Sequence, residues 1–379
     1  MILSGLDVLL AQNLDRLKNR RVGLLTNPTG VTRDLRSNID ALRAAGVNLV
    51  ALFSPEHGLL AAAADGAHVA SSQDARTGLP VYSLYGATTK PTPAMLDSID
   101  LLLYDIQDVG ARFYTYTATL GLALQACAEN KIPLIVLDRP NAINGSIIEG
   151  PVLDPALQSF VGHGPLPIRF GMTLGELAKF YNAELNIGAE LEIIPVSGWT
   201  RAQWFDETGL PWVPPSPNMP HLTTATLYPG MCLFEGTNLS IGRGTPLPFE
   251  IFGAPFIDGH ALADALNALP IDGARFRPTA FTPSANKFAN ENCFGVHVHI
   301  TDRNVLRPVT LALSVLQTIR PMYPAQAGWI AATFNRLIGD ASVMEKIDRS
   351  VTVSTVIASW AAARAEFEEK RKKYLLYTA

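Results

Sequence analysis

The chemistry that this sequence can perform is first indicated by a glutamate and a histidine in the stretch LFSPEHGL. An apolar run ends at Ser54 and Pro55, and Glu56 and His57 follow at once. Proline cannot donate a hydrogen bond to a sheet ladder, so the strand must end there and the glutamate lies on a loop. A carboxyl group on such a loop can act as a general acid, although it can also cap a helix or pair with an arginine.

A second carboxylate candidate is Glu149 in the stretch IIEGP. Two carboxyl groups on either side of a scissile glycosidic bond are the usual arrangement of a glycosidase, and their separation decides between direct displacement and a covalent intermediate. We therefore expect Glu56 and Glu149 to face one cleft as the catalytic residues. The alternative is that Glu149 belongs to a turn that holds the linker between two domains.

Further polar residues occur in the stretches YDIQDVGARFYTY and DRPNAINGS, and in a Pro- and Gly-rich region between residues 212 and 255 that we interpret as ordered loops closing over the cleft. Acids, amides, guanidinium groups and aromatic rings are the groups that bind sugars, and arginine can hold a carboxylate through two parallel hydrogen bonds. Some of these side chains must instead cap helices. The substrate-binding candidates are His57, Asp105, Asp108, Arg112, Tyr114, Arg139, Asn141, Asn218, Glu235, Asn238 and Arg243.

Motifs for other kinds of chemistry do not occur in the sequence. None of the seven histidines belongs to an HExxH motif, and the HVH of residues 297–299 fits a pair on one face of a strand. There is also no GxSxG, GxGxxG or GxxxxGK[ST] motif, so we predict no bound metal and no cofactor. A metal-dependent hydrolase that uses His57, Asp105 and Asp108 stays as a lesser hypothesis, which predicts loss of activity with a chelator.

The elements that position these residues alternate between strands and helices in the first 155 residues. Short continuous apolar runs predict strands at 21–26, 47–53, 80–84, 100–106 and 132–137, with helices between them at about 33–45, 92–98 and 112–130. This order predicts a Rossmann-like, mostly parallel sheet with helices on both faces. Ligands of such sheets bind beyond the carboxyl ends of the strands, where the polar loops lie.

Residues 156–379 have a different pattern and predict a second, smaller α/β domain that closes the cleft. Thr173 and Glu176 have the spacing of a capping box at the start of an amphipathic helix. LEIIPV and residues 295–301 read as strands, and residues of about 305–319 and 354–374 read as helices. The chain would then consist of a catalytic domain, 1–155, and a closing domain, 156–379.

Composition excludes several classes of protein. The 379 residues are 48% hydrophobic and 17% charged, with a net charge of −4, so neither nucleic acid nor an anionic membrane surface is an expected partner. Three scattered cysteines predict buried thiols rather than a disulfide framework. No basic leader with an apolar core begins the chain and no apolar window is long enough to span a membrane, which predicts a cytoplasmic protein unless a leader was removed.

Several long motifs, in order along nearly the whole chain, resemble the exo-β-N-acetylmuramidase family of NamZ type. They are GLLTNPTG, SPEHGL, TGLPVYSLYG, YDIQDVGARFYTY, LDRPN, EGP, FGMTLGELAKFYN, ETGLPWVPPSPNMP, YPGMCLFEGTNLSIGRGT, PFEIFGAP, TDRNVLRPV and YLLY. One small departure is NAING, where the family more often has NPING. The resemblance implies a Rossmann-like N-terminal domain, a smaller α/β C-terminal domain and an active site between them.

The resemblance also implies release of N-acetylmuramic acid (MurNAc) from the non-reducing end of peptidoglycan fragments such as MurNAc-GlcNAc. The glutamate of the family's EHG motif corresponds to Glu56. Many members are exported or lipid-anchored, so a chain without a leader suggests either a cytoplasmic recycling enzyme or a mature form. A cationic group must recognise the lactyl carboxylate of MurNAc, and the candidates are Arg112, Arg139 and Arg243.

The route of catalysis stays open at this stage. Glu149 or an aspartate of the YDIQD loop can activate water or stabilise the transition state, or the 2-acetamido group of the substrate can be the nucleophile. A cell-wall-sugar binding or sensing protein on the same two-domain cleft is the alternative hypothesis. It predicts saturable binding of the disaccharide without product.

Overall fold

The structure is a computed structural model that describes residues 1–64 and 66–378. The strands of the larger sheet are β1 (Val22–Thr26), β2 (Leu49–Ser54), β3 (Ser72–Gln73), β4 (Pro80–Ser83), β5 (Leu101–Asp105), β6 (Leu134–Leu137) and β7 (Leu191–Ile194). Their order in space is β3-β4-β2-β1-β5-β6-β7, and only the edge strand β3 is antiparallel to its neighbour. The polar loops after β2, β5 and β6 therefore leave the same edge of the sheet.

Helices cover both faces of this sheet. Alternating residues of β5 belong to two separate cores: Leu102 and Tyr104 pack on one face, and Leu101 and Leu103 on the other. The helices of this part are α1 (Gly5–Val8), α2 (Asn38–Ala44), α3 (Pro93–Leu96), α4 (Tyr116–Asn130) and α5 (Leu174–Glu184), with single turns of π or 3₁₀ helix at Leu9–Asn13, Leu14–Leu17 and Pro155–Leu157. The predicted Rossmann-like, mostly parallel sheet is thus confirmed.

The sheet continues past the domain boundary that the sequence suggested at residue 155. All five strands predicted in the first part are present, and the capping box of Thr173 and Glu176 begins α5 as expected. The strand predicted in LEIIPV is β7, which pairs with β6 in parallel. Residues up to Ile194 therefore belong to the larger sheet, because α5 provides the crossover that a parallel neighbour of β6 requires.

A smaller α/β part follows, as predicted. Its antiparallel sheet has the order β8-β10-β9, and α7 packs against β9 and β10. The elements are α6 (Leu222–Met231), β8 (Ile251–Ala254), α7 (Gly259–Asn267), β9 (Ala274–Phe281), β10 (Cys293–Ile300), α8 (Pro308–Met322), α9 (Ala331–Ile338), α10 (Val343–Asp348), α11 (Val353–Ala358) and α12 (Ala361–Arg371), with 3₁₀ turns at Phe205–Thr208, Cys232–Gly236 and Lys372–Tyr374. The single helix predicted at 354–374 is divided between α11 and α12.

The Pro- and Gly-rich region was expected to be loops, but it contains α6 and β8. Helix α6 is buried along most of its length and includes Pro229 in its last turn. A β-carbon at Gly230 would lie 1.9 Å from the carbonyl oxygen of Pro308, so α6 packs directly against the start of α8. The glycine is needed for close packing here, and this packing fixes the position of Tyr228.

The end of the chain returns to the first sheet. The hydroxyl of Tyr377 donates to Oδ2 of Asp138, at 2.5 Å, immediately after β6. Arg371 donates from Nη1 to the carbonyl oxygen of Gly171, also at 2.5 Å. These contacts join the end of the chain to the larger sheet and so connect the two parts of the protein. All three cysteines are buried, as predicted.

Candidate active site

A cavity of about 270 Å³ lies beyond the carboxyl ends of β2 and β5 and is closed by the second part of the chain. Its volume is near the lower end of the range for small-ligand sites, which suits one sugar ring better than a chain of sugars. The first part contributes Glu56, His57, Gly66, Tyr85, Phe113, Tyr114, Thr115 and Val161, and the second contributes Ser216, Asn218, Met219, Tyr228, Cys232, Glu235, Arg243, Phe249, Thr333, Arg336 and Leu337.

Glu56 is held on the loop after β2 with its carboxylate at the cavity wall. It is 7% exposed, and it lines the cavity. Its Oε1 accepts a hydrogen bond from the backbone N–H of Gly66 at 3.0 Å, and its Oε2 accepts one from the hydroxyl of Thr115 at 2.6 Å. Two donors from separate loops therefore fix the orientation of the carboxylate, as a catalytic group requires.

His57 has the strained backbone that this sharp loop needs. Its φ of 71° is in the left-handed region, which a residue other than glycine seldom occupies. The Nδ1 atom lies 2.9 Å from the carbonyl oxygen of Ala63, which can only accept, so Nδ1 carries the hydrogen. In the neutral ring, Nε2 is then an acceptor. The carbonyl contact fixes the plane of the ring beside Glu56.

Aromatic rings form one wall of the cavity. Tyr114 packs edge-on against Tyr116 at 4.8 Å and against Tyr228 at 5.6 Å, measured between ring centroids. Tyr228 in turn packs edge-on against Phe249 at 4.8 Å. Burial raises the pKa of both Tyr114 and Tyr228 well above the ordinary value, so their hydroxyls stay protonated. These rings give the wall apolar surface.

Glu235 is the carboxylate that accompanies Glu56 among the described residues lining the cavity. It forms an ion pair with Arg243, whose Nε and Nη2 lie 2.8 and 2.6 Å from its Oε1. The guanidinium of Arg243 also lies over the ring of Phe249, 4.9 Å from the centroid. Lys287 donates from Nζ to the carbonyl oxygens of Glu235 and Thr237 and so holds this 3₁₀ turn in place.

Arg112 does not reach the cavity and is instead fully buried. Its Nη1 donates to the carbonyl oxygens of Pro151 and Leu166, and its Nη2 to those of Leu337 and Ile338, at distances between 2.7 and 3.0 Å. Burial lowers the pKa of its guanidinium to about 9. The predicted contact with the lactyl carboxylate is therefore wrong for Arg112, because its donors connect the first part of the chain to α9.

Asp105 and Arg139 form a buried ion pair behind the loops. Arg139 donates from Nε to Oδ1 of Asp105 at 2.7 Å, and its Nη2 donates to the carbonyl oxygen of Val31. The second oxygen of Asp105 accepts from Nδ2 of Asn38 at 2.8 Å. Neither residue lines the cavity, so the structure does not support the sequence-based expectation that they bind substrate. They hold the loops after β1, β5 and β6 together.

Three further candidates are also occupied within the protein. Asp108 and Asn141 line a separate space of about 10 Å³, too small for a sugar. Asn141 donates to the carbonyl oxygen of Met172 at 2.8 Å. Asn238 donates to the carbonyl oxygen of Gln326 at 2.7 Å and accepts from the N–H of Gly328 at 2.9 Å. These side chains fix loops, contrary to the prediction that they contact substrate.

Glu149 lies outside the cavity that contains Glu56. It lines a different depression, and its Oε1 accepts hydrogen bonds from the backbone N–H of Thr310, at 2.8 Å, and from the hydroxyl of the same residue. It therefore caps the first turn of α8. Burial raises its pKa. The expectation that Glu56 and Glu149 face one cleft is wrong.

Some residues of the cavity carried no signal in the sequence. Thr115 lies in the YDIQDVGARFYTY stretch but was not among the predicted site residues, Ser216 belongs to PSPNMP, and Thr333 and Arg336 lie on one face of α9. Thr333 and Arg336 are far from Glu56 along the chain, and only their spacing of three residues suggests that they share a helix face. The contact of α9 with the first part of the chain is made by Arg112, whose partners are backbone carbonyls and leave no pattern in the sequence.

Neither a cluster of metal ligands nor a membrane-spanning helix occurs in the part of the chain that the structure describes. Across residues 1–64 and 66–378, no group of three or more His, Cys, Asp and Glu side chains is arranged to hold a metal ion. In particular, His57 lines the cavity whereas Asp105 is paired with Arg139. Among the helices of the described chain, none combines the length and apolar character needed to cross a bilayer.

Comparison with known proteins gives matches over the whole chain. Residues 22–223 match the family model described as exo-beta-N-acetylmuramidase NamZ, N-terminal, and residues 226–377 match its C-terminal counterpart. The peptidoglycan beta-N-acetylmuramidase NamZ of Bacillus subtilis (strain 168) is 46% identical over 376 residues, which are 99% of this chain and 91% of that protein.

Two crystal structures of DUF1343 family proteins from Bacteroides fragilis NCTC 9343 are also similar. One has a TM-score of 0.93 and 40% identity, and the other a TM-score of 0.81 and 32% identity. Each match covers 100% of this chain and 99% of the other. The architecture described above is thus common to these proteins.

Proposed function

Because the chain belongs to the exo-β-N-acetylmuramidase NamZ family, we propose that it hydrolyses the bond that links a terminal, non-reducing MurNAc to the rest of a peptidoglycan fragment. The observation that carries the proposal is the placement of the Glu56 carboxylate, oriented by two hydrogen bonds, in the wall of a cavity with room for about one sugar. MurNAc-GlcNAc is the simplest such substrate.

Glu56 acts as the general acid in this proposal. It transfers its proton to the glycosidic oxygen while the bond between that oxygen and C1 of MurNAc breaks, and the remaining sugar leaves as an alcohol. C1 then forms a new bond with the oxygen of water, or first with the oxygen of the substrate's own acetamido group, which water displaces. In either route one proton of the water passes to a carboxylate of the site.

Glu235 is the second acidic residue available for this chemistry, in place of the glutamate proposed from sequence. Its carboxylate lies in the same cavity as Glu56 and is ion-paired with Arg243. A negative charge in this position can stabilise the positive charge that develops at C1, or can receive the proton of the attacking water. Glu149 has neither role in this proposal, because it caps α8 and lines a different depression.

The exo mode of action is supported by the size of the cavity, about 270 Å³, which has room for about one sugar. Its walls come from both parts of the chain: the loops after β2 and β5 on one side, and α6 and α9 on the other. We infer that a terminal sugar enters this space and that the rest of the fragment lies outside it. The aromatic rings of Tyr114 and Tyr228 offer apolar surface to that sugar.

The experiment that tests the role of Glu56 compares two amide variants on MurNAc-GlcNAc. Glu56→Gln is expected to lower the turnover rate by about 10²- to 10⁴-fold, because an amide cannot donate the acidic proton. Glu149→Gln is the matched control and is expected to retain turnover within about twofold. Product is measured by mass spectrometry, and circular dichroism checks that both variants fold. Near wild-type turnover of the Glu56 variant would refute the assignment.

A further inference from the structure

MurNAc differs from GlcNAc by a lactyl ether that bears a carboxylate, so selection of MurNAc requires a cationic side chain in the cavity. Among the described residues of the cavity wall, the arginines are Arg243 and Arg336. The other two arginines considered from the sequence, Arg112 and Arg139, donate to backbone carbonyls and to Asp105 away from the cavity. The choice therefore lies between the two arginines of the second part.

Arg243 is already engaged with protein groups. Two of its nitrogen atoms contact one carboxylate oxygen of Glu235, and its guanidinium plane lies against Phe249. Its side chain is 12% exposed, and that of Glu235 is 24% exposed. An additional anion would have to compete with Glu235 for the same guanidinium.

Arg336 differs in each of these respects. It is exposed on α9, where its Nε donates to the carbonyl oxygen of Ala332 at 3.2 Å. Within residues 1–64 and 66–378, neither terminal nitrogen forms a hydrogen bond or an ion pair. The Nε contact orients the group, and the two terminal nitrogens retain the paired N–H donors that match the two oxygens of a carboxylate.

The helix that presents Arg336 is firmly placed. Phe334, Leu337 and Ile338 are buried, and the carbonyl oxygens of Leu337 and Ile338 accept hydrogen bonds from Arg112. Thr333, one turn earlier, lines the same wall. A cation on a rigid helix loses less entropy on binding an anion than one on a mobile loop.

We propose that Arg336 binds the lactyl carboxylate of MurNAc through its two terminal nitrogens and is the residue that distinguishes MurNAc from GlcNAc. This inference rests on the proposed function, because it assigns a contact within the same cavity. It also implies that a substrate whose lactyl carboxylate is converted to an amide loses the same contact.

The test uses Arg336→Gln with two chromogenic substrates, 4-nitrophenyl β-MurNAc and the same compound with the lactyl group as a neutral methylamide. For the acid, the variant is expected to have kcat/KM reduced by about 10- to 100-fold, the range for a charged hydrogen-bonded contact. For the amide, the kcat/KM of the variant is expected to equal that of the wild type within about twofold. Arg336→Lys keeps the charge but not the paired donors. Its kcat/KM on the acid is expected to lie between the values of the wild type and of Arg336→Gln.

A matched control and a binding measurement make the outcomes distinct. Arg364→Gln removes the same charge from a residue that lines the other depression, and it is expected to leave both substrates unaffected. If Arg336→Gln lowers kcat/KM equally on the acid and on the amide, the assignment of Arg336 is overturned but the proposed function is not. If the wild type releases nitrophenol from neither substrate, the proposed function fails. Calorimetric titration with free MurNAc then tests the Arg336 contact by itself. Equal affinity of wild type and Arg336→Gln for MurNAc would overturn that contact.

Discussion

Replacing Asp108 with asparagine is expected to reduce the pH dependence of stability. The carboxyl group lies in the buried space beside Asn141 and is 6% exposed. Its Oδ2 accepts from the backbone N–H of Gly110 at 2.6 Å, whereas its Oδ1 has no partner among the described residues. Burial, which disfavours the charged form, raises the pKa of this carboxyl to about 7 from a normal value of 3.8.

The size and sign of the effect follow from this shift. Below about pH 4 the carboxyl is protonated in both the folded and the unfolded chain. As the pH rises towards 7, the unfolded chain releases the proton but the folded protein retains it, so the free energy of unfolding decreases. A difference of about three pH units corresponds to a loss of about 4 kcal/mol, completed as the pH passes the folded pKa. Asparagine cannot titrate, so the variant does not undergo this loss.

The assay is urea unfolding of wild type and Asp108→Asn at intervals from pH 4 to pH 8. The wild type's free energy of unfolding should decline relative to the variant's by about 4 kcal/mol across this range. Asp264→Asn, on the exposed face of α7, is the control for the general effect of removing one negative charge. Parallel pH curves for wild type and Asp108→Asn would show that Asp108 is not held protonated by burial and would refute the reasoning.

Two further substitutions test the contacts that hold the cavity walls together. Arg112→Met is expected to lower the free energy of unfolding by about 3 to 5 kcal/mol, because four buried carbonyl oxygens lose their donor, and thermal unfolding would detect this. A melting temperature equal to that of the wild type would contradict the linking role. Glu149→Ala is expected to cost about 1 to 2 kcal/mol through loss of the cap of α8, with the KM of the remaining folded enzyme unchanged. An increase in KM would instead indicate that Glu149 contacts the substrate.

The strands of the larger sheet were predictable because a strand buried on both faces leaves a strong local signal. Each is a short continuous apolar run that ends in polar residues, and β1, β2 and β5 all have this form. The local sequence pattern did not predict α6. Its proline and glycine suggested loops, whereas the glycine is required by the contact with Pro308, a residue almost 80 positions further along the chain. A pattern read within one segment cannot reveal a requirement set by another.

The position of Glu56 was predictable for a related reason. Pro55 ends the strand, and the rule for parallel sheets places the following loop at the ligand-binding edge. The partner carboxylate was not predictable in this way, because Glu149 and Glu235 both lie in turns rich in glycine or proline. Only the packing of the second part of the chain decides that Glu235 lines the cavity and that Glu149 caps α8.

The polar residues considered as substrate contacts divide according to whether they line the cavity. Asp105 accepts from Arg139 and Asn38, and Arg139 also donates to the carbonyl oxygen of Val31, and neither Asp105 nor Arg139 lines the cavity. Arg336 has only its Nε occupied. Glu56 accepts one hydrogen bond on each oxygen, as Asp105 does, but Glu56 lines the cavity. Since all four residues are of types that can bind sugars, residue type alone does not separate the loop scaffold from the substrate contacts. Position in the cavity wall does separate them, and on this ground we propose that Glu56 and Arg336 contact the substrate whereas the Asp105–Arg139 pair supports the loops.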